Sequence, residues 1–362
     1  MRKLIRRPSR FEGLTVGLDV HQRMIQVSVL DRLGDETISV SIPAHADAMN
    51  RLLNELAEIG PVQVSLEATG CFVWIFDLLV AQLGHRCVHV AAPSRVRVIA
   101  ESMEKTDEND AWWLAYLLFE GRLPEAIVVE GRLRALRMAT REYRSVTSER
   151  ADLMRRFRAH LAQLGRRMAS ADWASAIGRT RIRKLLGELP AGDERTHATH
   201  RLLPRIDELA QEQQHWRARI DELAGTMAQV QRLEQALPGI GPLIAAITWA
   251  ELGDPTQYSS AKAYAKATGL TPGNRESAGR RRHQSITREG SAHARWALTR
   301  AVIACLRCTR GPGLIVRRWV EAKAKHKPKK HVVVAAARKL AESIWRLFHL
   351  GDAFDPAKAF GG

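Results

Sequence analysis

The segment Lys105-Thr106-Asp107-Glu108-Asn109-Asp110-Ala111 sets two carboxylates three residues apart at the mouth of a helix that continues through Trp112, Trp113, Leu114, Tyr116, Leu117, Leu118 and Phe119. Residues three apart share a helix face, so Asp107 and Asp110 can aim their oxygens at one point. Such a point suits a hard divalent cation, because magnesium takes oxygen ligands and is commonly held by one or two carboxylates together with substrate phosphates. The plainer alternative is a capped helix, with Thr106 or Asp107 as N-cap and acids in the first turn complementing the helix dipole. Two more acids bear on the choice. Asp19 interrupts the apolar strand Leu14-Thr15-Val16-Gly17-Leu18-Asp19-Val20, and Glu67 closes the strand Val62-Gln63-Val64-Ser65-Leu66-Glu67. Strand ends and helix starts converge on one crevice in α/β sheets, and four carboxylates in a crevice repel one another unless cations neutralise them. The pattern predicts Asp19, Glu67, Asp107 and Asp110 as ligands of magnesium, with manganese as its substitute.

A second candidate lies far along the chain. The stretch Asn274 to Gln284 reads as a basic loop carrying Arg275, Ser277, Arg280, Arg281 and Arg282. A serine among small residues and flanked by arginines could attack a phosphodiester, since guanidinium groups stabilise the developing charge. The same loop could instead be a solvated turn whose arginines grip phosphates, and the residues alone leave both open. Further nucleic-acid contacts are expected at Lys105, Arg288 and the basic run holding Lys325, Lys327, Lys329 and Lys330, the last a simple backbone-phosphate surface. The turn Leu237-Pro238-Gly239-Ile240-Gly241-Pro242 can present the amides of Gly239 and Gly241 to a phosphate, in the manner of helix-hairpin-helix DNA binders. Cys305 and Cys308 have CxxC spacing without a second pair and sit inside a helical pattern. Packing accounts for them, and no zinc is assigned.

The elements that must position these groups follow from periodicity. Three strands over Leu14–Val20, Met24–Leu30 and Thr37–Ile42 with short turns imply an antiparallel meander. A helix over Ala46–Ile59 stops at Gly60-Pro61, a fourth strand ends on Glu67, a helix covers Phe72–Leu83, and Arg86–Ala92 supplies a fifth strand. Pro93 and Ser94 begin a short helix leading to the acidic segment. The order βββ-α-β-α-β-α is that of an RNase H-like mixed sheet.

From Arg132 to Leu237 the chain turns helical and charged. An apolar stripe runs through Val146, Leu153, Phe157, Leu164 and Met168. A cleaner seam runs through Ile206, Leu209, Gln213, Trp216, Ile220, Leu223, Met227 and Val230. That heptad seam with one polar residue fits a long antiparallel hairpin, an inter-subunit coiled coil or an ordinary helical domain. The expected domains are 1–131, an RNase H/RuvC-like α/β domain; 132–236, a helical coiled coil or linker; and 237–362, mainly α-helical with the serine and the basic surface.

Length and charge bound the partners. With 362 residues there is room for two or three cores. The net charge of +17 and pI near 10.4 point to a polyanion, and to nucleic acid over membrane because no basic amphipathic segment carries a hydrophobic anchor. Without a run of eighteen apolar residues or a signal-peptide pattern, a soluble cytoplasmic protein associated with the bacterial nucleoid is expected.

With these motifs in hand, the chain resembles the DEDD-type transposases of insertion sequences, a family that includes the Piv-type DNA invertases. The resemblance rests on Gly17-Leu18-Asp19-Val20, Glu67-Ala68-Thr69-Gly70 and Lys105-Thr106-Asp107 with Asp110-Ala111 in the first half. In the second half it rests on Leu237 to Pro242, Gly269-Leu270-Thr271-Pro272, Ser277 and Ile286-Thr287-Arg288 with Gly290-Ser291. It implies a RuvC-like domain whose Asp19, Glu67, Asp107 and Asp110 bind magnesium. It also implies a transposase domain whose Ser277 links covalently to DNA. Family members look like enzymes that cut and rejoin donor and target DNA, assemble as dimers or tetramers with composite sites, and are directed by a structured RNA. Two departures are visible. Ser277-Ala278-Gly279 replaces the Ser-Gly common around the nucleophile, leaving Ser285 and Ser291 as alternative registers, and His21-Gln22-Arg23 lacks a lysine often seen there. A Holliday-junction or other structure-specific metal-dependent endonuclease is the competing expectation, with metals activating water and Ser277 only touching phosphate.

Overall fold

The computed structural model describes residues 11–93, 96, 107–126, 128–277, 280–351 and 353–361, with the side chains at 107–108, 171 and 274–285 outside the description. The chain divides into two units, 1–128 and 129–362. Lys105, part of the expected helix after Pro93, and residues 278–279 lie outside the described residues.

The first unit is a five-stranded sheet: β1 Leu14–Val20, β2 Met24–Leu30, β3 Glu36–Pro43, β4 Val62–Glu67 and β5 Val88–Ala91, in the order β3-β2-β1-β4-β5. β1, β2 and β3 pair antiparallel, whereas β4 and β5 add in parallel. Parallel addition requires crossovers; α1 (Ala46–Ile59) leads into β4, and α2 (Phe72–Leu83) joins β4 to β5. The fifth strand is shorter than its sequence pattern, because His85–Cys87 forms one 3₁₀ turn first.

Strand residues alternate between faces. Val16, Leu18, Val27, Val29, Val64 and Leu66 turn to one side and share a core with Met49, Leu52 and Leu56 of α1 and Ile75, Phe76 and Leu79 of α2. The opposite face carries small and polar residues. Thr15, Ser28, Gln63 and Ser65 are all buried there, and Gln63 Nε2 donates to Thr15 Oγ1 at 2.9 Å across the β1–β4 pair. Helix α3 (Asp107–Phe119) packs on this second face.

The approach is very close. A Cβ at Gly17 would overlap the Ala111 carbonyl oxygen and come within 2.6 Å of the Ala115 nitrogen. Ala111 and Ala115, both fully buried, are the matching small residues on α3. Large side chains in this seam would push the helix away from the strand.

The second unit is built on a helical hairpin. α4 (Gly131–Gln163) and α6 (Glu194–Ala224) run antiparallel. Arg132 donates to the Leu223 and Glu222 carbonyls near one end, and Arg195 to the Gln163 carbonyl near the other. The heptad seam therefore closes within the chain, with Val146, Ile206, Ile220 and Leu223 buried. Gln213, its polar interruption, accepts from Arg150 Nη1 at 2.9 Å and donates to Thr147 Oγ1 at 2.8 Å. A polar seam residue satisfied this way penalises any slipped register. At the tip, α5 (Ala176–Gly187) closes a separate small core of Phe157, Leu161, Trp173, Ile182 and Ile206.

At the base, α7 (Ala228–Ala236), α8 (Pro242–Leu252), α9 (Ala261–Ala267), α10 (Ala292–Cys305), α11 (Gly311–Ala324), α12 (Lys329–His349) and α13 (Pro356–Phe360) gather round one core. The helix α11 is not foreseen in the sequence pattern. The expected basic loop is also corrected: β6 (Pro272–Ser277) and β7 (Arg280–Ile286) pair antiparallel as a two-stranded ribbon.

If the α3–β1 seam fixes the first unit, Gly17→Ala should cost at least about 1–3 kcal/mol through overpacking. Gly60→Ala, whose Cβ meets nothing within 4 Å, should stay within about 0.5 kcal/mol. Thermal unfolding of the two variants measures the difference; equal midpoints would refute the seam.

Candidate functional site

The polar face of the first unit places the predicted acids. Gly17 and Asp19 point to the same side, and Gly17 is registered with Ser65. The register ends at Leu18 with Leu66, and Asp19 and Glu67 are the next residues on these neighbouring strands, on the same face as Gly17 and Ser65. The orientation of α3 follows from its contacts. Ala115 and Phe119 pack on Leu30, the partner of Thr15 at the start of β1, whereas Ala111 meets Gly17 further on. The helix thus runs against β1, and its first turn, with Asp107 and Asp110, lies toward the strand end that carries Asp19.

Asp19 is buried, with 6% of its surface exposed. His21 Nε2 lies 2.9 Å from Asp19 Oδ2, so a cation at this carboxylate competes with the imidazole for one oxygen. Glu67 and Asp110 are half-buried. Among the described residues no three His, Cys, Asp or Glu form a group able to hold a metal ion; the Asp107 side chain lies outside that set. The donor chemistry, carboxylate oxygens at the N-terminal end of a helix, fits a hard divalent cation. His21 is the contact that sequence reasoning missed. Its signal was an imidazole two residues beyond a strand acid.

In the second unit, Ser277 and Arg280 form the last registered pair of the ribbon before residues 278–279, and Arg275 pairs with Arg282 and Glu276 with Arg281. Ser277 and the ribbon arginines therefore occupy its far end. The base is tied down: Thr287 N–H donates to the Thr271 carbonyl at 2.9 Å, Arg288 N–H to the Gly269 carbonyl at 3.2 Å, and Ser291 N–H to the Ala267 carbonyl at 2.9 Å. Arg288 is held at φ 57°, a left-handed backbone costing an arginine about 1–2 kcal/mol.

The alternative serines differ. Ser285 belongs to β7, and its side chain lies outside the description. Ser291 Oγ donates to Glu251 Oε2 at 2.8 Å and accepts from Ala294 N–H at 3.1 Å, capping α10. Both functions of that hydroxyl are structural. Gly239, at φ 74°, leaves room for the Ala301 carbonyl oxygen and would crowd Cys305 Sγ at 2.8 Å if it bore a Cβ; close packing explains this glycine. Gly241 precedes α8 as its N-cap. Lys325, Lys327, Lys329 and Lys330 are exposed around the α11–α12 connection.

Glu251 is the main polar anchor of the second unit that sequence reasoning missed. Its side chain is 2% exposed, and Arg141 donates to both its oxygens, Nε at 2.8 Å and Nη2 at 3.1 Å. Arg137 donates to the neighbouring carbonyls of Ala250 and Glu251 at 2.6 and 3.1 Å. Burial pushes the Glu251 carboxyl up, but the Arg141 and Ser291 hydrogen bonds and the arginine charges outweigh it, leaving it below its usual range. The available signal was a lone acid in the otherwise apolar Pro242–Leu252 helix.

Comparison with known proteins connects both units. Residues 16–165 match a transposase family described as the DEDD type of IS110. Residues 231–314 match the transposase IS116/IS110/IS902 family. A Pseudomonas aeruginosa protein named "Probable family 20 transposase" is 26% identical over 349 residues, covering 94% of this chain and 98% of the relative. The y4pF/y4sB protein of Sinorhizobium fredii, named as a transposase, is 30% identical over 141 residues, 39% of this chain and 35% of that relative.

The Glu251 network gives a pH signature. A carboxyl whose folded pKa is depressed adds stability above its unfolded pKa, and this is lost as pH falls through the folded value. Glu251→Gln should lower stability at neutral pH toward the lower end of about 3–5 kcal/mol, since half-exposed Arg141 can recover water. It should also flatten the loss of stability on acidification. Denaturant midpoints at neutral and acidic pH test this, and parallel losses in both proteins would refute it.

Proposed function

Because this chain belongs to the IS116/IS110/IS902 transposase family, we propose that it cuts and rejoins DNA at an acidic, metal-dependent centre and carries a DNA-linking serine. The centre would comprise Asp19, Glu67, Asp107 and Asp110, and the serine would be Ser277. The observation that carries the proposal is the Gly17–Ala111 approach, which turns the start of α3 toward the strand ends bearing Asp19 and Glu67. The strand order β3-β2-β1-β4-β5 supports an RNase H/RuvC-like fold for this unit.

Asp19, Glu67, Asp107 and Asp110 would hold the divalent ion, magnesium by its affinity for oxygen ligands, with manganese as its substitute. Bound there, it supplies neutralising charge at the scissile phosphate. His21, whose Nε2 lies 2.9 Å from Asp19 Oδ2, would share that oxygen with the ion. Ser277 Oγ attacks phosphorus and loses its proton; the P–O bond to one DNA ester oxygen breaks, and that oxygen leaves as a hydroxyl after taking up a proton. A DNA hydroxyl then attacks the phosphoserine, restoring the strand and the serine. Arg275, Arg280, Arg281 and Arg282 stabilise the charge on the phosphate during both steps.

Donor and target DNA are the partners, with Lys105, Gly239, Gly241, Arg288, Lys325, Lys327, Lys329 and Lys330 as further contacts. A net charge of +17 suits simultaneous binding of DNA and a structured guide RNA. A homodimer or homotetramer would let the acids of one subunit meet the serine of another. Among the described residues no helix is long and apolar enough to cross a membrane.

Denaturing gels of labelled DNA incubated with the protein and magnesium test the proposal. Wild type should yield a covalent protein–DNA adduct. Ser277→Ala should lose the adduct, and Asp19→Asn should lose both adduct and cleavage by at least about 10²-fold, the scale of removing a key charge-stabilising group. Cleavage by Ser277→Ala at the wild-type rate would refute the serine and leave a water-using, structure-specific endonuclease.

A further inference from the structure

We propose that a basic cleft in the second unit, between the base of the ribbon and helices α11 and α12, binds an unpaired DNA strand. The proposal rests on DNA being the substrate. The cleft has a volume of about 1050 Å³ and is bounded by Pro272 and Ile286 at the ribbon ends, Arg288 beside them, and the facing surfaces of the two helices.

Its charge is one-sided. Glu342 is the one acid among the described lining residues, and Arg338 Nε already holds it at 2.9 Å. Lys339 is also engaged: its Nζ donates to the Ala359 carbonyl at 2.8 Å and lies 5.5 Å from the Trp319 ring centroid and 5.8 Å from that of Phe360. Four other lining cations, Arg288, Lys323, Lys327 and Lys330, are exposed. None of the four makes an ion pair among the described residues. Arg288 is additionally fixed by its left-handed backbone and its N–H bond to Gly269, so its stem leaves the ribbon base in a set direction.

Of the remaining lining residues His331 is polar and exposed, and the others, Trp319 and Val332 among them, are apolar. Trp319 is half-buried, and Phe360, in a T-shaped contact with ring centroids 5.7 Å apart, and Lys339 hold its ring in place. Cations around a fixed aromatic ring match a polyanion that carries flat groups. A duplex offers phosphates but keeps its base faces stacked, so only an unpaired base can lie against the indole. Drug-sized ligands occupy roughly 300–1,000 Å³, and the cleft accordingly takes only a few nucleotides at a time. Cutting and rejoining strands generates such unpaired ends.

Fluorescence anisotropy of the full chain, in EDTA so that nothing is cut, measures binding of a short labelled DNA strand, its duplex and an RNA of the same sequence. Trp319→Ala should weaken strand binding by roughly 5- to 150-fold, the worth of one base stack, and leave duplex binding within about twofold. Trp319→Phe, which keeps a ring against Phe360, should retain most of the affinity. Replacing Lys323, Lys327 and Lys330 together by alanine should reduce the slope of log affinity against log salt by about 2, at roughly 0.7 per phosphate contact. Wild-type strand binding by both sets, an equal loss for duplex, or tighter binding of the RNA would overturn the proposal. If Trp319→Ala does not fold, photocrosslinking of an iodouracil-bearing strand to the unmodified protein decides: crosslinks in Gly311–His349 support the cleft, and crosslinks only elsewhere sink it. These measurements need no strand cleavage, so the cleft can stand even if the acidic centre or Ser277 fails its own test.

Discussion

The distance between one helix and one strand governs the first unit. α3 lies so close to β1 that only hydrogen fits at Gly17, and the seam continues through Ala111 and Ala115. This contact makes the polar face of the sheet buried rather than wet, and the buried Thr15, Ser28, Gln63 and Ser65 must then find partners within the protein. Gln63 bonds Thr15, Ser65 Oγ donates to the Val16 carbonyl, and Ser28 Oγ donates to Glu36. The contact also brings a helix N-terminus toward the strand end carrying Asp19. The partial positive charge there favours nearby carboxylates by about 0.3–1 kcal/mol each. That is small beside the repulsion the proposed quartet would bring, and Asp19 Oδ2 already has His21 Nε2 at 2.9 Å.

The second unit achieves rigidity with a buried ion pair. Glu251 ties α8 to α4 through Arg141 and to the start of α10 through Ser291. With Glu251 buried and Arg141 half-exposed, the pair adds little net stability compared with apolar packing, but it penalises any arrangement that leaves the Glu251 charge unpaired. The ribbon departs from the same neighbourhood, since Ser291 and Thr287 are bonded to the segment 267–271. The base of the ribbon is thus rigidly referenced to the hairpin, and Ser277 stands at the opposite end. The DNA-linking role proposed for Ser277 would call for such an arm.

Much of this was legible in the sequence where one face of an element is apolar. The helix Phe72–Leu83 and the strands Leu14–Val20 and Met24–Leu30 coincide with their expected limits, because burial on the α1–α2 side imposes the period directly. The ribbon was missed for the converse reason. Asn274 to Gln284 carries no apolar alternation, and its strands are specified by cross-strand pairing, which a one-dimensional pattern does not record. Helix α11 was hidden by Gly311-Pro312-Gly313, which looks like a breaker. Proline in the first turn lacks only an N–H that the helix would leave unpaired. The seam from Ile206 to Leu223 was legible as a seam but not as to its partner, since an internal hairpin and an intermolecular coil impose the same heptads. Gln213 carries the distinction, through Arg150 and Thr147.

The placement of acids, more than of bases, shapes the basic surface. Arginines are spread along every long helix, but many face an acid one turn away: Arg217 with Asp221, Arg219 with Glu222, Arg317 with Glu321 and Arg338 with Glu342. Exposed pairs at this spacing contribute only about 0.3–0.5 kcal/mol each. Their larger effect is on the field, because a neutralised helix face attracts no polyanion beyond a Debye length of roughly 8–10 Å. The α11–α12 connection, Lys323 to Lys330, contains no acid at all, so the protein's positive potential persists there. A surplus that would otherwise be diffuse is thereby concentrated beside an aromatic ring, and whatever strand the protein holds is drawn first to that edge.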